Sequence, residues 1–145
     1  MLPIEDQKIL KKMLTRQEGR RNFIYRDTKN NETVGIGHLC SNGFSDDIID
    51  LIYEEDWQTA YNFLLKSFSW FKKLDSVRKI ALISMVFNLG SNNFLKFKDT
   101  IEFLDNSDYQ SAAKAMRSSL WANQVPHRVK ELSAIIETGV MTTGG

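Results

Sequence analysis

EGRRNFIYRDTKNNETVGIGHL, residues 18–39, changes its pattern abruptly and so divides the chain. Ahead of it, Ile4, Ile9, Leu10, Met13 and Leu14 partly follow a helical repeat. Pro3 suits a first turn, so a helix is expected to run up to Gly19. Beyond Gly19, aromatic and branched residues flank Lys29-Asn30-Asn31-Glu32, a polar turn, and a small hairpin is the simplest reading. Gly35 and Gly37 are expected to relieve crowding or permit unusual backbone angles. Gly-Ile-Gly is too short and generic for a nucleotide-binding fingerprint.

Working outward, Ser41 to Ser45 reads as a connector, and Ser45 as the cap of a long helix over 46–68 with Asp46 and Asp47 in its first turn. That helix carries Ile48, Ile49, Ile52, Trp57, Tyr61, Leu64 and Leu65, with Glu54, Glu55 and Asp56 on one side. Residues 77–90, VRKIALISMVFNLG, are apolar on several faces, which predicts the central helix of a larger lobe ending at Gly90. Further helices are expected near 94–105, 108–120 and 126–137, and the tail Thr142 to Gly145 is expected to be mobile. The fold class expected is α+β. A small β-hairpin lobe, roughly 15–45, is joined by the 46–68 helix to a helical lobe, roughly 70–140. The 1–14 helix is expected to pack on the helical lobe, and the 145 residues to form a single domain.

Composition excludes several classes. Hydrophobic residues make up 42% of the chain, enough for a sizeable core, so wholesale disorder is not expected. One cysteine, Cys40, allows no internal disulfide. The opening MLPIEDQKILKKML is too charged for a signal-peptide core or a membrane span, so any target outside the cytoplasm is expected to be reached by another route. The net charge of +1 hides a local bias. Lys8, Lys11, Lys12, Arg16, Arg20, Arg21, Arg26 and Lys29 outnumber Glu18 and Asp27 within residues 8–29. Such a patch suits a polyanion, a wall polymer or plain solvation; with no nucleic-acid motif, no nucleic-acid partner is expected.

Glu18, at a helix end, and Asp27 and Thr33, on either side of a hairpin turn, can face one another across a cleft. Two carboxylates so placed can do acid–base work on a glycosidic bond, one protonated and one charged. Spacing alone does not make them converge, and two surface acids near arginines are common. His38 and Cys40 are too few for a metal site, with His127 the only other histidine, so no metal is expected. Trp70, Trp121, Asn123, Gln124 and Arg128 can contact sugars, or serve as core aromatics and helix caps.

Three ordered motifs go further. Glu18-Gly19-Arg20 continues through Tyr25, Asp27 and Thr28 to the run Thr33–Leu39. Arg78 is followed by the run Ala81–Gly90. The third is the run Ser119–Arg128. With these the chain resembles the muramidases of tailed phages, glycoside hydrolase family 24. The resemblance implies a two-lobed α+β fold with a cleft between the lobes. It implies an endolysin that cuts peptidoglycan between N-acetylmuramic acid and N-acetylglucosamine with inversion, for lysis of a bacterial host. Glu18 then resembles the general acid, Asp27 the carboxylate that directs water, and Thr33 the threonine that holds it. Leu39, Asn88, Asn123 and Arg128 resemble cleft residues, Arg128 organising the cleft rather than moving a proton. His38 and Asp56 resemble a structural pair.

The resemblance further implies peptidoglycan as the partner, a monomer, and accumulation in the host cytoplasm until a holin opens the inner membrane. The chain departs from the family pattern in the short stretch 39–55 between His38 and Asp56, which implies a trimmed small lobe. It departs again at Asn88 and Leu89, which implies altered floor contacts. Two other readings predict different behaviour: a wall-binding or inhibitory protein without turnover, and a basic nucleic-acid-binding module with salt-sensitive binding.

Overall fold

The structure, a computed structural model, describes residues 1–142; Thr143 to Gly145, most of the tail expected to be mobile, lie outside the described residues. The protein is α+β: one helix, a small antiparallel sheet, then a succession of helices. The chain divides into two compact units, Met1–Asp50 and Leu51–Gly145.

The first unit opens with α1, Ile4–Glu18, which follows Pro3 and carries Glu5 and Asp6 in its first turn, where acids favour the helix dipole. The helix stops at Gly19, as its sequence pattern predicts. Next come β1, Arg21–Arg26, and β2, Glu32–Gly35, the arms of the expected hairpin. Tyr25 pairs with Thr33 and Arg26 with Glu32, and the register is irregular between Arg21 and Tyr25. A third strand, β3, His38–Leu39, pairs with β2 through Thr33–Leu39 and Val34–His38. It went unread in the sequence because two residues carry no alternation to recognise. Thr33 thus lies on the middle strand and is only 2% exposed. Cys40–Asn42 forms a short 3-10 turn ahead of α2, Asp46–Ser67, whose Ile48 N–H reaches Ser45 Oγ at 3.4 Å. The unit boundary falls inside this helix.

The second unit holds the hydrophobic core. From α2 come Ala60 and Leu64, followed by Trp70, Phe71 and Leu74 on the way to α3, Ser76–Leu89. Asp75 caps α3 by accepting the Arg78 N–H at 3.0 Å. The apolar run does not make α3 a helix enclosed on every side. It buries Ala81, Leu82, Met85 and Val86 along one face, while Ile80 and Phe87 stay about half exposed, at 52% and 48%. Burying Phe71, Phe94, Leu82 or Met85 fully is worth about 1.5–3 kcal/mol each.

The helix expected over 94–105 is broken in two. α4 covers Ser91–Phe94 and α5 covers Lys98–Asp105, with Phe97 between them at ψ 58°, outside the helical range. The break lets Phe94 sink fully into the core while Phe97 meets Trp121 edge-on at 5.9 Å. One continuous helix would aim these two rings, three residues apart, along nearly the same face. The helix expected over 108–120 also ends early. α6, Tyr109–Arg117, starts at its Asp108 cap, and Ser119 caps a separate short helix, α7, Leu120–Gln124. α8, Pro126–Thr138, matches its expected span and starts on proline. Ala112 and Ala113 on α6 leave room for close packing against α8, whose buried Ser133 accepts from Arg117 Nε at 3.1 Å. Among the described residues, no helix is long and apolar enough to cross a membrane.

Candidate active site

Glu18 is the last residue of α1, and its side chain is exposed. After Gly19 the chain enters β1, so the acid stands where the helix hands over to the sheet. On its sheet side it meets Gly37, in the turn between β2 and β3; a methyl group placed on Gly37 would lie 3.2 Å from Glu18 Cγ and 3.3 Å from Oε2.

Asp27 shapes the hairpin loop. Its Oδ1 accepts the Lys29 N–H at 2.9 Å and the Asn31 N–H at 2.8 Å, and its Oδ2 faces the Asn31 side-chain amide at 3.4 Å. Its own N–H donates to the Asn31 carbonyl at 3.0 Å, and Asn30 takes a left-handed φ of 65° to close the loop. These bonds favour the charged carboxylate. The Asn31 N–H outweighs the opposing desolvation and, with the Lys29 N–H, holds Asp27 below its ordinary value of 3.8. A lowered native value stabilises the fold above the unfolded value and is lost as pH falls through the native one. Asp27→Asn is therefore expected to lower the melting temperature at neutral pH. The difference from wild type should shrink below about pH 4 and close at still lower pH, as thermal melts across that range would record.

Thr33 joins the same network. Its hydroxyl donates to the Asn31 carbonyl at 3.0 Å, the oxygen that also accepts the Asp27 N–H. Asp27 and Thr33 are thus tied together through one peptide group. With its hydrogen spent there, the Thr33 oxygen keeps only lone pairs to offer. Asn31 escaped the sequence reading, which saw only a turn residue. Its signal was an asparagine four residues after an aspartate across that turn, where an aspartate side chain commonly accepts nearby N–H groups.

The other residues singled out in the sequence are placed as follows. Leu39 pairs with Thr33 on β3 and is half-buried. His38 stacks on Phe44 at 4.8 Å, and its Nε2 lies 2.7 Å from the Gly43 carbonyl. A carbonyl only accepts, so Nε2 carries the proton and Nδ1 is left for any further partner. Asp56 is exposed on α2.

In the second unit, Asn88 stands on α3 and accepts the indole N–H of the buried Trp121 at 2.8 Å. Trp121 is therefore a core aromatic with its polar edge fixed. Asn123, at the end of α7, and Arg128, in the first turn of α8, are exposed. Among the described residues, no three His, Cys, Asp or Glu side chains gather as a metal site would require.

The family model for phage lysozymes matches residues 15–135, a span that includes every one of these positions. The chain belongs to the phage lysozyme family. It is 30% identical to a probable T4-type lysozyme 1 of Dictyostelium discoideum, over 91% of this chain and 95% of that protein. It is 29% identical to a second probable T4-type lysozyme of the same organism, over the same shares. It is also 27% identical to the pre-baseplate central spike protein Gp5 of Enterobacteria phage T4, over 92% of this chain but 28% of that much longer protein. Membership makes the protein a lysozyme-type hydrolase, with peptidoglycan hydrolysis as the activity the family suggests. The helix-to-hairpin passage, Glu18 to Thr33, lies wholly within the first unit.

Proposed function

We propose that this chain is a muramidase. It would cleave the β-1,4 bond between N-acetylmuramic acid and N-acetylglucosamine with inversion of the anomeric carbon. Glu18 gives a proton to the leaving oxygen, Asp27 directs a water molecule onto the opposite face of the sugar, and Thr33 helps hold that water. The observation that carries the reading is the state of Asp27. Two backbone N–H groups hold one of its oxygens and keep it charged, and the second is left with a single long contact to Asn31.

A water poised there donates one hydrogen to Asp27 and one to the lone pairs of Thr33, which leaves its own lone pair for the anomeric carbon. An inverting enzyme needs one carboxylic acid and one carboxylate with room for water between sugar and base. Leu39, Asn88, Asn123 and Arg128 are the substrate-contact residues in this reading.

The same reading makes peptidoglycan the partner of a monomer that needs no metal or organic cofactor. Its task is lysis of the host from the cytoplasm, once a holin has opened the inner membrane. The test is the product. Defined peptidoglycan incubated with the purified protein should yield new muramic-acid reducing ends by mass spectrometry, and the first-formed anomer by NMR should be α. Glucosamine reducing ends would place the cut at the other bond; a first-formed β anomer would reject inversion.

A further inference from the structure

Gly35, the last residue of β2, and Gly37 flank Ile36, and both hold a positive φ, 69° and 75°. A conformational account treats them alike, since each spares the chain the strain of a side chain in that region. Their surroundings differ. A methyl group on Gly35 would meet nothing within 4 Å. One on Gly37 would meet three atoms of the Glu18 side chain, Cγ at 3.2 Å, Oε2 at 3.3 Å and Cβ at 3.4 Å. The first two separations are tighter than ordinary van der Waals contact, so either Glu18 or the turn would have to give way by a few tenths of an ångström.

We propose that Gly37 is a positioning residue for the catalytic acid: its bare backbone forms the wall against which the Glu18 side chain rests. The inference depends on the reading of Glu18 as the acid. Glu18 ends a helix and is otherwise open to solvent, and a glutamate has three side-chain torsions to restrain. Within its own unit, no hydrogen bond or ion pair from another side chain holds it among the described residues. The bare backbone of a glycine at that wall leaves room for the carboxyl to rest close against the sheet, without blocking the acid from the sugar. A side chain at that wall would push the acid outward. Proton transfer to a leaving oxygen is sensitive to such shifts, and a misplacement of about 1 Å can cost about a hundredfold.

The equivalent strain at Gly35 supplies the control. Asparagine tolerates the left-handed region better than other side chains, and alanine is the smallest side chain with a Cβ, so both are made at each position. Gly37→Asn and Gly37→Ala are expected to lower kcat about tenfold or more with KM and peptidoglycan binding nearly unchanged. Gly35→Asn and Gly35→Ala should lose comparable thermal stability but keep kcat within about threefold. The carboxyl carbon resonance of Glu18, assigned by its loss in Glu18→Gln, should move in the Gly37 variants and stay in place in those of Gly35. This readout does not depend on turnover.

Equal kcat losses at the two glycines, or an unmoved Glu18 resonance in a folded Gly37 variant, would overturn the positioning role while leaving the acid assignment intact. Wild-type turnover in Glu18→Gln would instead remove the acid assignment itself.

Discussion

Replacing Glu18 with glutamine should lower kcat on peptidoglycan by about 10²–10⁴-fold while leaving binding to the polymer nearly unchanged. Glutamine has the same shape and fills the same space beside Gly37, but its amide cannot supply the proton that the leaving sugar oxygen requires. Because Glu18 is exposed, the exchange leaves no buried group unpaired, and the melting temperature should stay within about 2 °C of wild type. Loss of turnover therefore reports chemistry and not unfolding. Turbidity clearing of cell walls measures the rate, and co-sedimentation with insoluble peptidoglycan measures the binding. A variant that bound less and turned over at the wild-type rate when saturated would assign Glu18 to substrate contact. Asp27→Asn makes a useful companion, because it removes the charge on the proposed water-directing group and also weakens the hairpin loop that Asp27 organises.

The largest stability effect is expected at Arg78, far in sequence from those residues. Its side chain is 14% exposed and closes the end of α8. Nε donates to the Ile136 carbonyl at 2.7 Å and a terminal nitrogen to the Glu137 carbonyl at 3.3 Å. The other terminal nitrogen meets Asp75 at 3.0 Å, and the guanidinium lies 3.7 Å from the centre of the Tyr109 ring. The last carbonyls of a helix have no partner within the helix, and a cation there also complements the helix dipole.

Burial opposes the charge on Asp75, yet the Arg78 N–H and guanidinium outweigh it and hold that carboxyl below its ordinary range. Arg78→Met keeps much of the volume and removes every one of these bonds, for a loss of about 2–4 kcal/mol by urea unfolding. Arg78→Lys keeps the charge but loses the planar fork and should fall between the two. A loss under about 0.5 kcal/mol for Arg78→Met would mean that the carbonyls of α8 find water as good a partner.

These residues divide according to whether their partners are near or far along the chain. The reach of α1 to Gly19, the hairpin around residues 27–31, the Ser45 start of α2 and the proline start of α8 were all legible, because each depends on neighbours within a few positions. The order of Glu18, Asp27 and Thr33 was legible for the same reason, as was the likeness to a family of lysozymes. Helix lengths past α3 were misread where a distant contact outweighed local pattern. Phe94 and Phe97 both sit at helical spacing, yet the chain bends between them so that one ring enters the core and the other reaches Trp121. Ser119 looked like the continuation of α6 and instead caps α7.

The sequence by itself determined the class of fold, the chain positions of the candidate acid and base, and the family, because local propensity and ordered motifs are properties of the string. Tertiary structure alone decided which groups touch. It set Gly37 and not Gly35 against Glu18, tied Thr33 to Asp27 through the Asn31 carbonyl, and sent Arg78 across fifty-eight positions to the end of α8. The reason is physical: two glycines with similar φ and the same neighbour are nearly identical as sequence. Only the path of the chain around them determines which one leaves room for the acid.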